Sequence, residues 1–202
     1  SGFSVSSSRL AMPDTGLITY SEMHNQATNI SAALDIPVIC DGDTGFGNAA
    51  NIRRTVLGYA QAGVAGIMIE DQRSPKRCGH TKGKEVVSRS AAIERLNAAL
   101  DAREQLRANG SDIIIIARTD ARATKGLTEA IERANLFNQM GADIIFVEAP
   151  CSEKEMEEIC THVNGHKMAN ILEQGETPIL PPAELEAMGF KVAAYPLTMI
   201  AA

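Results

Sequence analysis

The chain has 202 residues, 45% hydrophobic and 22% charged, with a net charge of −6, 4% aromatic residues and no tryptophan. That size and apolar content predict one core and a single α/β domain over 1–202, while the acidic balance and scarcity of aromatic rings argue against nucleic acid as a partner. No apolar run approaches the ~20 residues that cross a bilayer, and no charged start followed by an apolar core resembles a signal peptide, so the chain reads as soluble, intracellular and without a membrane partner.

Along the chain, short runs rich in Ile and Val alternate with segments of helical periodicity. IPVIC (36–40) leads through the glycine-rich CDGDTGFGN into an amphipathic stretch at 49–62. AGIMIE (65–70) is followed by a loop of about 17 residues at about 72–88, long for such a connection and therefore a candidate lid, and then by a helical stretch at 89–108. DIIIIAR (112–118) precedes 126–140, DIIFVE (143–148) precedes 153–162, KMANILE (167–173) precedes 182–187, and FKVAAYP (190–196) comes last. Runs apolar on both faces suit buried parallel strands, and strand–helix alternation gives either an open doubly wound sheet or a (β/α)8 barrel.

Polar residues decide between the two. Asp41 and Asp43 follow the first run, Glu70 and Asp71 the second, Arg118 and Asp120 the third, Glu148 the fourth, Asn170 and Glu173 the fifth. In an open sheet only strands at the switch point are expected to carry such groups, whereas in a barrel every strand end converges on one mouth. The expectation is a barrel.

DGDTGFGN fits neither a dinucleotide fingerprint nor a Walker loop, and its two aspartates would repel phosphate. Asp at i and i+2 on a strand end point the same way, and with Glu70 they suit a hard divalent ion, Mg2+ or Mn2+, held partly through water. Zinc would want regularly spaced His and Cys; His24, His80, His162 and His166 show no such spacing, and all but His80 read as surface or helix-end residues.

Four scattered cysteines, Cys40, Cys78, Cys151 and Cys160, suggest a reducing compartment rather than staples. Cys40 and Cys160 read as structural. Cys78, in SPKRCGH between Lys76, Arg77 and His80, reads as reactive: nearby cations favour its thiolate and poise it for proton transfer or attack, and Pro75 and Gly79 keep it in a loop. Phe46, Leu172, Tyr195 and Leu197 fit an alkyl pocket or barrel core equally well.

DGDTGFGN, IEDQ, PKRCGH, ARTDA, FVEAP and NILEQGETP, in this order, resemble the isocitrate lyase and phosphoenolpyruvate mutase superfamily over essentially the whole chain. The likeness is strongest to its small lyases, which act on 2-methylisocitrate, dimethylmalate and alkylmalates, and to relatives labelled carboxyvinyl-carboxyphosphonate phosphorylmutase. It implies a (β/α)8 barrel with a C-terminal helix swapped between subunits of a homotetramer, a dimer of dimers. By that likeness a strand before SGFS and the swapped helix are expected to be missing from these 202 residues, which read as part of a longer protein. It implies Mg2+ held directly by Asp43, with Asp41, Glu70 and Asp14 reached largely through water. It implies that the 72–88 loop closes over a small anionic carboxylate and that Cys78 donates the proton that quenches a carbanion, with Lys76 and His80 assisting. Arg118, Glu148 and Asn170 would hold substrate oxygens, and Ser1, Gly2, Asp41 and Gly79 would contribute contacts.

The reaction so implied is cleavage of a 2-hydroxy acid, a substituted malate or methylisocitrate-like compound, to a 2-oxo acid and a second carboxylic acid. A phosphonate enzyme and an oxaloacetate decarboxylase or hydrolase are the alternatives, and a non-catalytic relative is disfavoured by the intact Asp41, Asp43, Cys78, Arg118 and Glu148. The compartment expected is the cytoplasm, or a plastid or mitochondrion if a preceding transit segment exists.

Overall fold

The structure is a computed structural model and describes residues 1–198. Helices α1 (Gly2–Leu10) and α2 (Tyr20–Ala33) come first. Six strands follow: β1 (Ile39–Asp41), β2 (Gly66–Glu70), β3 (Ile114–Thr119), β4 (Ile144–Val147), β5 (His166–Asn170) and β6 (Val192–Ala194). Between them run α3 (Ala49–Gln61), α4 (Arg89–Ala108), α5 (Ala121–Lys125), α6 (Leu127–Met140), α7 (Glu153–His162) and α8 (Pro182–Met188).

The strands form one parallel sheet in the order β1-β2-β3-β4-β5-β6. A doubly wound sheet must reverse its order somewhere, and this one never does. Six strands in strict sequence among the described residues, curling with their helices outside, make a partial (β/α)8 barrel.

Local chemistry accounts for the elements. Thr19 and Glu22 form a capping box at the start of α2, and Asn48 with Asn51 does the same for α3. Pro182 opens α8, whose cap Gly189 is left-handed, as is Gly141 after α6. Side-chain alternation then sorts each strand into two faces. Ile67, Ile69, Ile115, Ala117, Ile145 and Val147 join the main core beneath the helices, while Met68, Ile116, Ile144, Phe146, Met168, Val192 and Ala194 pack together inside the curl.

This register positions the site. Asp41, Glu70, Arg118 and Asn170 fall on the inward face at the C-terminal ends of β1, β2, β3 and β5, and Glu148 follows β4 in phase with Phe146. Neighbouring strands bring them side by side, with Glu70 paired in register to Arg118 and Arg118 to Phe146.

Candidate functional site

The turn after β1 is shaped by close approach. A Cβ on Gly45, whose φ is +90°, would fall 2.2 Å from Ile52 Cγ1, so only glycine fits. Asp43 itself adopts φ 47°, a left-handed conformation that aspartate tolerates better than most residues. The turn is fastened from two sides: Asp43 N donates to Asp41 Oδ1 at 3.0 Å, and Gly2 N donates to Asp41 Oδ2 at 2.8 Å. The Gly2 N–H expected to meet substrate thus holds a carboxylate of the protein instead. Ser1 caps α1, accepting from Ser4 N at 3.2 Å, and lines the cavity described below.

Lys76 reaches down from the lid into this acidic nest. Its Nζ lies 2.6 Å from Asp14 Oδ1 and 2.9 Å from Asp43 Oδ1. Both contacts are ion pairs to a single ammonium, so of the buried oxygens here it is Glu70 Oε1 that is left without a donor. Asp41 is held down at about 2: burial would raise it, and Lys76 first among its charged neighbours outweighs burial. Burial and then the Asp41 charge push Asp43 up to about 7, and burial drives Glu70 well above the usual carboxylate range.

The second half of the site is built round Arg118. Its Nε and Nη2 grip Asp120 at 2.9 and 3.0 Å, Nη2 also meets Glu148 Oε2 at 3.0 Å, and Nη1 lies 3.3 Å from Glu70 Oε2. The guanidinium carbon sits 5.4 Å from the centre of the Phe146 ring. Burial disfavours the Glu148 charge, yet Arg118 and then His80 hold its carboxyl down at about 2. His80 Nδ1 accepts from Glu176 N at 3.0 Å, which places the ring proton on Nε2, 3.1 Å from Glu148 Oε1. Asn170 Nδ2 also reaches Glu148 Oε1, at 3.3 Å.

The lid, between β2 and α4, is folded down over these groups. Gln72 clamps Arg77 through two backbone bonds, Oε1 accepting from Arg77 N at 3.0 Å and Nε2 donating to Arg77 O at 2.9 Å. Cys78 N donates to Asp14 O at 3.1 Å. Beneath the lid lies a cavity of about 340 Å3 with Lys76, Cys78, Gly79, His80, Arg118 and Glu148 on its polar side. Met68, Phe146, Met168, Leu172, Tyr195 and Leu197 supply its apolar wall. Phe46 is elsewhere, packed edge-on against Tyr20 at 6.2 Å.

One expectation is corrected. Nearby cations do not draw Cys78 toward its thiolate: burial pushes the thiol up, only partly offset by the His80 backbone N–H. Lys76 is spent on Asp14 and Asp43, His80 on Glu148, and Arg77 Nη1 on Lys82 O at 3.5 Å. Closeness in sequence is not closeness of charge. Among the described residues no three His, Cys, Asp or Glu side chains stand ready to bind an ion directly. Asp14 and Asp41 line the cavity, whereas Asp43 and Glu70 lie behind it.

The residues nevertheless fit a hydrated divalent cation. Glu70 Oε1 is buried without a donor, an atom that the waters of such an ion would satisfy, and Asp14 and Asp43 have one lysine between them. Six carboxylates, on Asp14, Asp41, Asp43, Glu70, Asp120 and Glu148, face the three full cations Lys76, Lys84 and Arg118 and the Nε2–H of His80, an excess of acid that a divalent cation offsets.

Gly79 marks the tightest point. A Cβ there would come 2.5 Å from both Arg118 Nη2 and Glu148 Oε2. Gly79→Ala should therefore lift the lid and lower kcat/KM by about 10- to 100-fold, since a misplacement near 1 Å has that scale of effect. Thermal unfolding should show the midpoint nearly unchanged, and a wild-type kcat/KM would contradict the close fit.

Sequence reasoning missed Lys84 and Gln72 and gave Asp120 no role of its own; only Asp120 carried a signal, as a strand-end carboxylate two residues from Arg118. No helix among the described residues is long and apolar enough to cross a membrane.

A family model described as phosphoenolpyruvate phosphomutase matches residues 1–202. The chain is 48% identical over 199 residues to 2,3-dimethylmalate lyase of Eubacterium barkeri, covering 98% of this chain and 67% of that one. It is 44% identical over 204 residues to the chloroplastic carboxyvinyl-carboxyphosphonate phosphorylmutase of Arabidopsis thaliana, covering 99% of this chain and 59% of that one. Its fold matches the structure of an oxaloacetate acetylhydrolase in complex with 3,3-difluorooxalacetate with a TM-score of 0.95 at 35% identity, over 99% of this chain and 67% of the other. The chain thus spans about six-tenths to two thirds of the length of these relatives.

Proposed function

Because this chain belongs to the phosphoenolpyruvate phosphomutase family, within the superfamily that includes isocitrate lyase, we propose that it is a carbon–carbon lyase. Its substrate is a 2-hydroxy acid of the substituted malate or methylisocitrate type, and its products are a 2-oxo acid and a second carboxylic acid. The observation that supports the reading most is Cys78, a thiol whose pKa burial raises, set in a lid on the same cavity as Arg118.

Cleavage of the bond beside a carboxylate leaves the electron pair on an enolate-like fragment, and the hydroxyl proton passes to a rim carboxylate. Arg118 offers its guanidinium to substrate oxygens, oriented by Asp120 and Glu148. Asn170 and His80 supply N–H donors along the same edge. Cys78 then hands its proton to the carbanion in the cavity beneath the lid, where the lid limits the access of competing water. A divalent cation, Mg2+ or Mn2+, held through Asp43 with Asp41, Glu70 and Asp14 reached largely through water, would bear part of the developing negative charge.

A panel tests the reading. With Mg2+, substituted malates and isocitrates should yield 2-oxo acids, phosphonopyruvate should yield no phosphate, and EDTA should abolish turnover. Phosphate release without oxo-acid formation from any malate would overturn the assignment. By family likeness the active form is a homotetramer, which light scattering would show.

A further inference from the structure

Lys84 and Asp120 lie outside the set of residues just assigned to substrate, yet both are buried. Lys84 stands on the return limb of the lid with a side chain 3% exposed, and Asp120, the residue after β3, has a side chain that is fully buried. Lys84 Nζ donates to Gly79 O, at the crest of the lid, and to Asp120 Oδ1 at 3.1 Å. Asp120 accepts at the same time from Arg118 Nε and Nη2. It does not move with the lid: its backbone N donates to Asp71 Oδ1 at 2.9 Å, and Asp71 is fixed by Thr119 and by Arg133 Nη1 at 3.0 Å. One carboxylate anchored in the barrel thus holds both the arginine that would meet substrate and the lysine that sets the height of the lid.

We propose that Lys84 and Asp120 are positioning residues forming a latch, which makes closure of the lid and orientation of Arg118 a single event. The inference rests on the reading of Cys78–His80 as a closing lid over an anionic substrate. Charge gives the direction of coupling. With the lid raised, Asp120, Glu70 and Glu148 face Arg118 alone, an acidic mouth that repels a carboxylate. Closure delivers Lys84 to Asp120 and Lys76 to Asp14 and Asp43. An anion in the cavity favours the closed lid, and by linkage the closed lid favours the anion.

The test reads the lid rather than turnover. Cys78 is alkylated with N-ethylmaleimide and followed by peptide mass spectrometry, with Cys40 and Cys151 as internal references, in the presence and absence of Mg2+ and oxalate. In wild type, oxalate should protect Cys78. In Lys84→Met, Cys78 should react about tenfold faster or more, since a buried charge-assisted hydrogen bond is lost, and oxalate protection should fall away. Lys84→Arg should restore protection, Asp120→Asn should match Lys84→Met, and the double variant should add nothing. Lys84→Gln, which keeps a donor without the charge, serves if the Met variant loses its fold, seen as Cys40 reacting in parallel. A Cys78 rate in Lys84→Met and Lys84→Gln equal to wild type, or effects of Lys84 and Asp120 that multiply, would overturn the latch. If wild type cleaves no 2-hydroxy acid, the lyase assignment fails, and the alkylation still decides the latch.

Discussion

Cys78→Ala and Cys78→Ser should each lower kcat by about 10^2- to 10^4-fold, the usual worth of a positioned general acid, while substrate and Mg2+ affinities change little. The hydrogen bonds at Cys78 that hold the lid are made by its backbone, N donating to Asp14 O between α1 and α2 and O accepting from Thr81 N within the lid at 3.0 Å, so neither substitution removes them. The serine variant keeps shape and a hydroxyl, but a hydroxyl is a far weaker acid than a thiol. The pH profile separates an acid from a nucleophile. An acid works while protonated, and burial raises the Cys78 pKa, so activity should persist through neutral pH and fall only as pH climbs through that raised value. A nucleophile would show the reverse, with rate increasing as the thiolate forms. Stopped-flow or steady-state rates across pH 6–10 decide, and near-wild-type turnover in Cys78→Ala would remove Cys78 from the chemistry.

The strands were legible because their apolar runs are long and nearly unbroken. DIIIIAR and DIIFVE predict what became Ile114–Thr119 and Ile144–Val147 to within a residue or two. The mouth was legible for the same reason: once a strand's inward phase is set by Ile116 or Phe146, period two carries it to Arg118 and Glu148. Helices α1 and α2 left no such signal. Within GFSVSSSRL only Gly2, Val5 and Ser6 are buried, and within YSEMHNQATNISAA only Met23 and Ala27. Lid contacts were illegible in principle, because Gln72 with Arg77, His80 with Glu176 and Lys84 with Asp120 depend on how a long loop folds back. Composition put Lys76, Arg77 and His80 beside Cys78; the fold gave Lys76 and His80 to carboxylates and turned Arg77 aside.

Arg118 should prove the least replaceable residue of the rim. Arg118→Met would leave Asp120, Glu70 and Glu148 buried without their shared partner, and removing one member of a buried ion pair costs about 3–5 kcal/mol. Arg118→Lys keeps the charge but not the fork: an ammonium cannot bond Asp120 through two nitrogens while meeting Glu148 and Glu70, so activity should still be lost while stability partly recovers. Urea unfolding as a function of pH gives the sharper test. In wild type Glu148 is held at about 2, against an ordinary 4.5, so its ionised form contributes stability above 4.5 that is lost only as pH falls through about 2. In Arg118→Met, burial acts on Glu148 without that counter-charge, so its pKa in the folded state moves up past the unfolded one. The variant should then bind protons on folding and gain stability as pH falls, so the gap from wild type should be widest near neutrality and narrow below about pH 5. A deficit independent of pH would mean that Arg118 stabilises by packing on Phe146 rather than by holding the carboxylates, and would detach the rim's charge from the fold.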